Sequence, residues 1–292
     1  MSKKREKPIH SLIAGTSAGA IEAFVTYPTE FVKTRSQFGG KREPPLTIIR
    51  TTLATKGITG LYSGCSALVV GNAVKAGVRF VSYDHFKHML ADPEGKVSPA
   101  RSLVAGLGAG VVEAIFAVTP SETIKTKLID DAKSPVPRYR GLVHGTVSIV
   151  REEGVRGIYR GLFPVMMRQG ANSAVRFTTY TTLKQFVQST APPGQTLPTA
   201  ITFGIGAIAG LVTVYTTMPL DVIKTRMQSL TARQSYRNSF HCAYRIFTEE
   251  GLLRFWTGTT PRLVRLMLSG GIVFTVYENI MRVIGTSEDG DN

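Results

Sequence analysis

One stretch of this 292-residue chain recurs three times at a fixed interval, and that recurrence limits the fold more than any other property. Lys56-Gly57-Ile58-Thr59-Gly60-Leu61-Tyr62-Ser63-Gly64 aligns with the segments from Glu153 to Gly161 and from Glu250 to Gly258. Gly57, Gly154 and Gly251 are 97 residues apart, as are Tyr83, Tyr180 and Tyr277. Upstream of each copy lies a second motif. Pro28, Glu30, Lys33 and Arg35 correspond to Pro120, Glu122, Lys125 and Lys127, and to Pro219, Asp221, Lys224 and Arg226. A chain of such repeats buries its apolar faces by packing each copy against the next.

Each repeat reads as two spans joined by a linker. The first span carries glycines four apart (Gly15 and Gly19, Gly106 and Gly110, Gly206 and Gly210), a spacing that lets helix backbones approach closely. The second spans run over 66–87, 164–186 and 261–284. The reading is an all-α membrane protein with six transmembrane helices in three pseudo-threefold repeats (9–92, 98–191 and 196–285), forming one integrated domain. Gly19 and Gly210 precede their prolines by nine residues, but Gly110 precedes Pro120 by ten. The extra residue predicts a π-bulge between Gly110 and Pro120.

Lys and Arg number 35 against 20 Asp and Glu, a net charge of +15 that points to anionic partners. The within-repeat linkers hold five, seven and five basic residues, whereas the loops between repeats hold few. The positive-inside bias therefore puts all three linkers on one side and both termini on the other. No zinc or RNA-binding pattern accompanies the basic residues, so nucleic acid is not the expected partner. No metal site, cofactor or enzymatic chemistry is expected either.

Comparing the second spans slot by slot at the 97-residue interval exposes broken symmetry. Leu68, Val165 and Arg262 share a slot, as do Gly71, Arg168 and Arg265, and Asn72, Gln169 and Leu266. Lys75, Asn172 and Ser269 share another, and Arg79, Arg176 and Val273 a fifth. Steps of three or four residues place them on one helix face. Charged residues within spans face a bundle interior. The slots hold Lys75, Arg79, Arg168, Arg176, Arg262 and Arg265 and no acid, which predicts a cavity of unpaired cations for a polyanion. Glu22 and Glu113 stand in otherwise apolar spans, as gating groups, proton-linked groups or partners of a cavity cation.

The tripled Pro-x-acid-x-x-base-x-base motif, each copy followed by the glycine–aromatic–glycine segment, resembles the mitochondrial carrier family over nearly the whole chain. The resemblance implies six tilted helices around a central solute cavity, three short matrix helices, and a multi-pass location in the inner mitochondrial membrane with both termini toward the intermembrane space. It also implies a matrix gate of Glu30–Lys125, Glu122–Lys224 and Asp221–Lys33, braced by Gln37 and Gln228, with Ile129 in the third bracing position. The opposite, cytoplasmic gate would use Tyr83, Tyr180 and Tyr277 with two pairs, Asp84–Lys184 and Glu278–Lys87. That imbalance makes the matrix gate the stronger and leaves the unloaded chain open to the intermembrane space. The runs around Asn72–Phe80, Arg168–Phe177 and Pro261–Arg265 resemble members of the family that carry tricarboxylates. The implied solute is citrate, exchanged for another di- or tricarboxylate, with Asn72, Lys75, Arg79, Arg168, Gln169, Asn172, Arg176, Arg262 and Arg265 as its contacts. The alternatives are another anion, such as a dicarboxylate or keto acid, or a receptor that keeps the fold without transport. Gly57, Gly64, Gly154, Gly161, Gly251 and Gly258 would expose backbone N–H groups to cardiolipin phosphate.

Overall fold

The computed structural model describes residues 8–40, 43–91, 99–134, 136–190 and 198–289. Among them the chain is helical, with no strand. Repeat 1 comprises α1 (Pro8–Gln37), α2 (Pro45–Gly60) and α3 (Cys65–Leu90). Repeat 2 comprises α4 (Pro99–Glu113) and α5 (Thr119–Asp131), joined by a π segment, then α6 (Leu142–Ile158) and α7 (Leu162–Thr190). Repeat 3 comprises α8 (Thr199–Met227), the short α9 (Ala232–Ser235) and α10 (Ser239–Arg245), and α11 (Thr259–Asp289). Between α10 and α11 lie a π turn, Ile246–Glu250, and a 3-10 turn, Leu252–Trp256.

The long helices form a closed ring. α3 packs along α4, α7 along α8, and α11 returns to α1. The five uninterrupted ones have 26 to 31 residues, enough at about 1.5 Å per residue to exceed a hydrocarbon core of roughly 30 Å. By length and composition alone, Val104–Asp131 and Ile201–Met227 could cross a membrane, and α2 with α3, bent by 62°, would make a third.

The expected surplus residue is absorbed as anticipated. The π segment Ala114–Val118 lies between Gly110 and Pro120. It restores the register of Pro120 and Glu122 to that of the other repeats. Proline removes a helical donor, and α8 shows one consequence. Trp256 Nε1 donates to the Tyr215 carbonyl at 3.0 Å, the acceptor that Pro219 leaves unused four residues later.

The apolar core is concentrated at the linker end, in one cluster per repeat. Tyr27, Phe31, Ile48 and Ile129 anchor the first, Leu128, Tyr139 and Ile149 the second, and Val222, Cys242 and Ile246 the third. Gly64, Gly161 and Gly258 take φ of +83°, +89° and +88° just before α3, α7 and α11. A Cβ on them would lie 3.1 Å from the Lys125 carbonyl, 3.6 Å from that of Lys224 and 3.2 Å from that of Lys33, respectively. These glycines therefore bring each repeat onto the gate lysine of the next.

Deleting Ala117 should convert the π segment to α-helix and lower the melting temperature by only a few degrees. Deleting Val212, where α8 has no surplus residue, should rotate one half of the helix by about 100° and abolish folding. Thermal denaturation in detergent compares the two.

Candidate functional site

The linker-end floor of the ring is built by the proline motifs. Lys125 Nζ lies 2.7 Å from Glu30, Lys33 Nζ 2.7 Å from Asp221, and Lys224 Nζ 2.7 Å from Glu122. These pairs join α1 to α5, α8 to α1 and α5 to α8, so the three repeats close on one another. Glu30, Lys33, Lys125, Asp221 and Lys224 are buried, and Glu122 is half-buried. The contact within α1 is longer, 3.8 Å from Lys33 to Glu30. Gln37 braces its pair, donating to Asp221 at 3.1 Å while accepting from Thr225 at 2.7 Å. Gln228 instead accepts from Thr126 at 3.4 Å, and its amide nitrogen is without a partner among the described residues. Ile129 is fully buried in the remaining position.

A cavity of about 430 Å³ stands on this floor. Asn72, Arg168, Asn172, Arg176, Arg262 and Arg265 line it, together with Glu22, Thr213 and Ser269. Lys75 and Gln169 line an adjoining recess with Asn72 and Arg168. Arg79 lies one turn beyond Lys75 on α3.

The expectation that these cations are unpaired needs correction. Arg168 lies 3.2 Å from Glu122 and 3.5 Å from Asp221. Arg265 lies 2.8 Å from Glu30 and 3.7 Å from Glu22. Lys75 and Arg79 each lie 3.5 Å from Glu113. The acids come from the first span of each repeat (α1, α4 with α5, and α8, the odd helices when spans are counted along the chain), which a slot comparison confined to the second spans (α3, α7 and α11, the even helices) does not sample. Their signal was available: Glu22, Glu113 and Thr213 each follow a repeat glycine by three residues, and all three are buried. Of the roles left open for Glu22 and Glu113, the geometry makes both partners of cavity cations.

A positive excess survives. Seven cations (Lys33, Lys125, Lys224, Arg168, Arg176, Arg262 and Arg265) line the cavity against three lining carboxylates, Glu22, Glu30 and Glu122, and Asp221 just beneath pairs with Lys33 and Arg168, so the excess is three. Among the described residues Arg262 hydrogen-bonds to neutral groups, reaching Thr217 at 3.1 Å and Asn172 at 3.5 Å. Arg176 is exposed, with no carboxylate in ion-pair range among the described residues. The structure also explains why the slot of Arg168 and Arg265 holds glycine in repeat 1. A Cβ at Gly71 would lie 2.4 Å from the Ser121 Cβ, so α3 and α5 leave no room for a side chain.

The other end of the ring differs. Asp84 is exposed and pairs within its own helix with His88 at 3.6 Å. Among the described residues no ion pair joins it to Lys184. Tyr83 and Lys87 are exposed, and Tyr180 and Lys184 half-buried. The side chains of Tyr277 and Glu278 lie outside the described residues.

Gly57, Gly154 and Gly251 take φ of +64°, +69° and +86° at breaks in the linker helices. The second motif base meets the acid that opens the glycine segment: Lys127 with Glu153, and Arg226 with Glu250. Burial alone would raise the Glu250 carboxyl. The hydrogen bond and charge of Arg226, then of Arg254, hold it below the ordinary carboxylate range.

The family described as mitochondrial carrier protein matches the chain three times, over residues 4–94, 95–191 and 195–288. The mitochondrial citrate transporter A of Aspergillus niger is 51% identical over 281 residues, covering 95% of this chain and 93% of that protein. The tricarboxylate transport protein of Saccharomyces cerevisiae is 50% identical over 296 residues, covering 96% and 99%. The mitochondrial tricarboxylate transport protein of Homo sapiens is 42% identical over 286 residues, covering 96% and 91%. Three interlocked repeats, the threefold family match and these relatives agree: the chain belongs to the mitochondrial carrier family, a transporter and not an enzyme.

Proposed function

We propose that this chain exchanges citrate for another di- or tricarboxylate across the inner mitochondrial membrane by alternating access. The observation that carries the proposal is the cavity: more cations than carboxylates, with Arg176 and Arg262 outside carboxylate ion-pair range among the described residues, directly above a floor closed by three ion pairs. The relatives named for citrate or tricarboxylate support the same substrate. Arginine suits a multiply charged acid because its planar fork donates two parallel hydrogen bonds to a carboxylate. Arg262, Asn172 and Arg176 are placed to bind it at least internal cost, since among the described residues no carboxylate lies in ion-pair range of either arginine. Arg168 and Arg265 must exchange an internal acid for the solute.

Membrane embedding is supported by large apolar side chains on the outside of the ring, among them Phe24, Phe80, Phe116, Phe203 and Met267. Lipid hides such surface, whereas water does not. The basic linkers support an orientation with the ion-pair floor on the matrix side and both termini in the intermembrane space. The floor is closed, and among the described residues no ion pair joins Asp84 to Lys184, which supports the intermembrane-open state expected of the unloaded carrier. A pocket of about 360 Å³ beside Ser63, Gly64 and Gly141 supports a lipid phosphate site. There the starts of α3 and α6 face each other. Cardiolipin is the proposed occupant. Gly141 was not singled out from the sequence because it lies outside the repeated motifs.

Binding moves an alternating equilibrium only through differential affinity for its states. Citrate bound above the floor would offset the loss of three buried pairs. Arg168→Ala should lower citrate exchange in proteoliposomes by roughly 30-fold or more while the melting temperature holds. Near-normal exchange would remove Arg168 from the site. The charge reversal Glu30→Lys with Lys125→Glu should fail to restore exchange, staying at about a tenth of wild type or less, because a cation at position 30 faces both Lys33 and Arg265. Full recovery of exchange would mean that the pair acts alone.

A further inference from the structure

Outside the ion-pair floor, among the described residues, each repeat reaches the next through a cation that grips two backbone carbonyls, and Arg226 adds a single bond to the Gln37 carbonyl at 3.1 Å. Lys56 Nζ donates to the carbonyls of Ala132 at 2.7 Å and Ser134 at 2.9 Å, just past α5. Arg160 Nη2 donates to those of Ala232 at 3.2 Å and Tyr236 at 2.7 Å, past α8. Arg254 Nη2 donates to those of Phe38 at 3.2 Å and Gly40 at 2.9 Å, past α1. The clamps run from repeat 1 to 2, 2 to 3 and 3 to 1. For Lys56 and Arg254 the acceptors lie just past a long helix, whose C-terminus leaves carbonyls unsatisfied and carries a partial negative charge; those of Arg160 open and follow the short α9.

Sequence alignment hides this ring. Lys56 aligns with Glu153 and Glu250, Arg160 with Ser63 and Thr257, and Arg254 with Gly60 and Gly157. Three unlike positions converge on one task, which incidental contacts within a conserved turn would not produce. Lys56 has a further reason to face outward. The second motif base pairs with the aligned acid in repeats 2 and 3, but in repeat 1 that base is Arg35, a like charge, so Lys56 turns to the next repeat. Arg254 is held in place by Glu250 at 2.6 Å.

We propose that Lys56, Arg160 and Arg254 are positioning residues of a second, outer lock on the matrix side, whose carbonyl clamps release when the repeats separate to open that face. The inference rests on the alternating-access reading above. The ion pairs of the floor then account for only part of the energy that keeps the matrix face closed, and the outer lock sets how rarely the unloaded carrier opens there.

The test follows exposure of the cavity, not transport alone. Leu68 lines the cavity, and both native cysteines, Cys65 and Cys242, are buried. In full-length Leu68→Cys protein, an impermeant maleimide applied from the linker face should label slowly. Adding Lys56→Met, Arg160→Met and Arg254→Met together should raise that rate at least about threefold, and each alone by less. In parallel, the KM for citrate on that face should fall, and the KM on the opposite face should not. Lys56→Arg should keep the wild-type rate, since it keeps the donors. Unchanged labelling and an unchanged linker-face KM, with only a lower melting temperature, would overturn the lock. Should the triple variant not fold, the single variants decide by the same readouts. A wild type that exchanges no citrate, yet shows the labelling shift, would overturn the citrate reading and leave the lock standing.

Discussion

Everything at the floor of the ring depends on carboxylates shared between two kinds of cation. Glu30 meets Lys125 and Arg265, Glu122 meets Lys224 and Arg168, and Asp221 meets Lys33 and Arg168. An unpaired charge buried at this depth costs several kcal/mol, so each acid must find a base. The nearest bases of adequate geometry lie in another repeat. Burial thus forces the repeats to interlock, and the lock is made of interactions that a charged solute can rival. The lysines hold odd helix to odd helix. Arg168 and Arg265 tie the even helices α7 and α11 to the same acids, which couples the state of the cavity to the state of the floor.

Symmetry and its breaking divide the labour. Positions that close the ring are alike in all three repeats: the proline motif, and the left-handed glycines that bring each linker onto the next gate lysine. Positions that line the cavity differ. Gly71 yields its slot to the close approach of Ser121, while Arg168 and Arg265 occupy the matching slots. Arg262 replaces Leu68 and Val165. A small acid without threefold symmetry needs such a site. The π segment in repeat 2 belongs to the symmetric class, since it absorbs one surplus residue so that Glu122 and Lys125 face the axis with their counterparts.

The three charge motifs and the π segment were legible in the sequence because each depends on spacing, and spacing survives when one chain is compared with itself three times; which acid meets which base came from the family resemblance. The fate of the cavity cations was not. Glu22 and Glu113 sit on odd helices, and only the folded ring brings them to Arg265 and to Lys75 with Arg79. Gln228 carries the residue type of a brace but follows a different local geometry, with Thr126 as its partner. Lys56, Arg160 and Arg254 occupy unrelated slots, so no internal alignment could group them. Gly64, Gly161 and Gly258 were visible as repeated glycines, yet their closeness to the next gate lysine is a property of packing. What one repeat does is written in its pattern, and what one repeat does to the next emerges at the interfaces.

The central claim is that a multiply charged acid binds between α7 and α11 just above the closed floor. Determining the structure of the purified carrier with saturating citrate tests it most directly. The account predicts density for the acid within hydrogen-bond distance of Arg262 and of at least one of Arg168 and Arg265, with the cavity open opposite the linkers. Citrate bound elsewhere, with those arginines still engaged only by Glu30, Glu122 and Asp221, would contradict it.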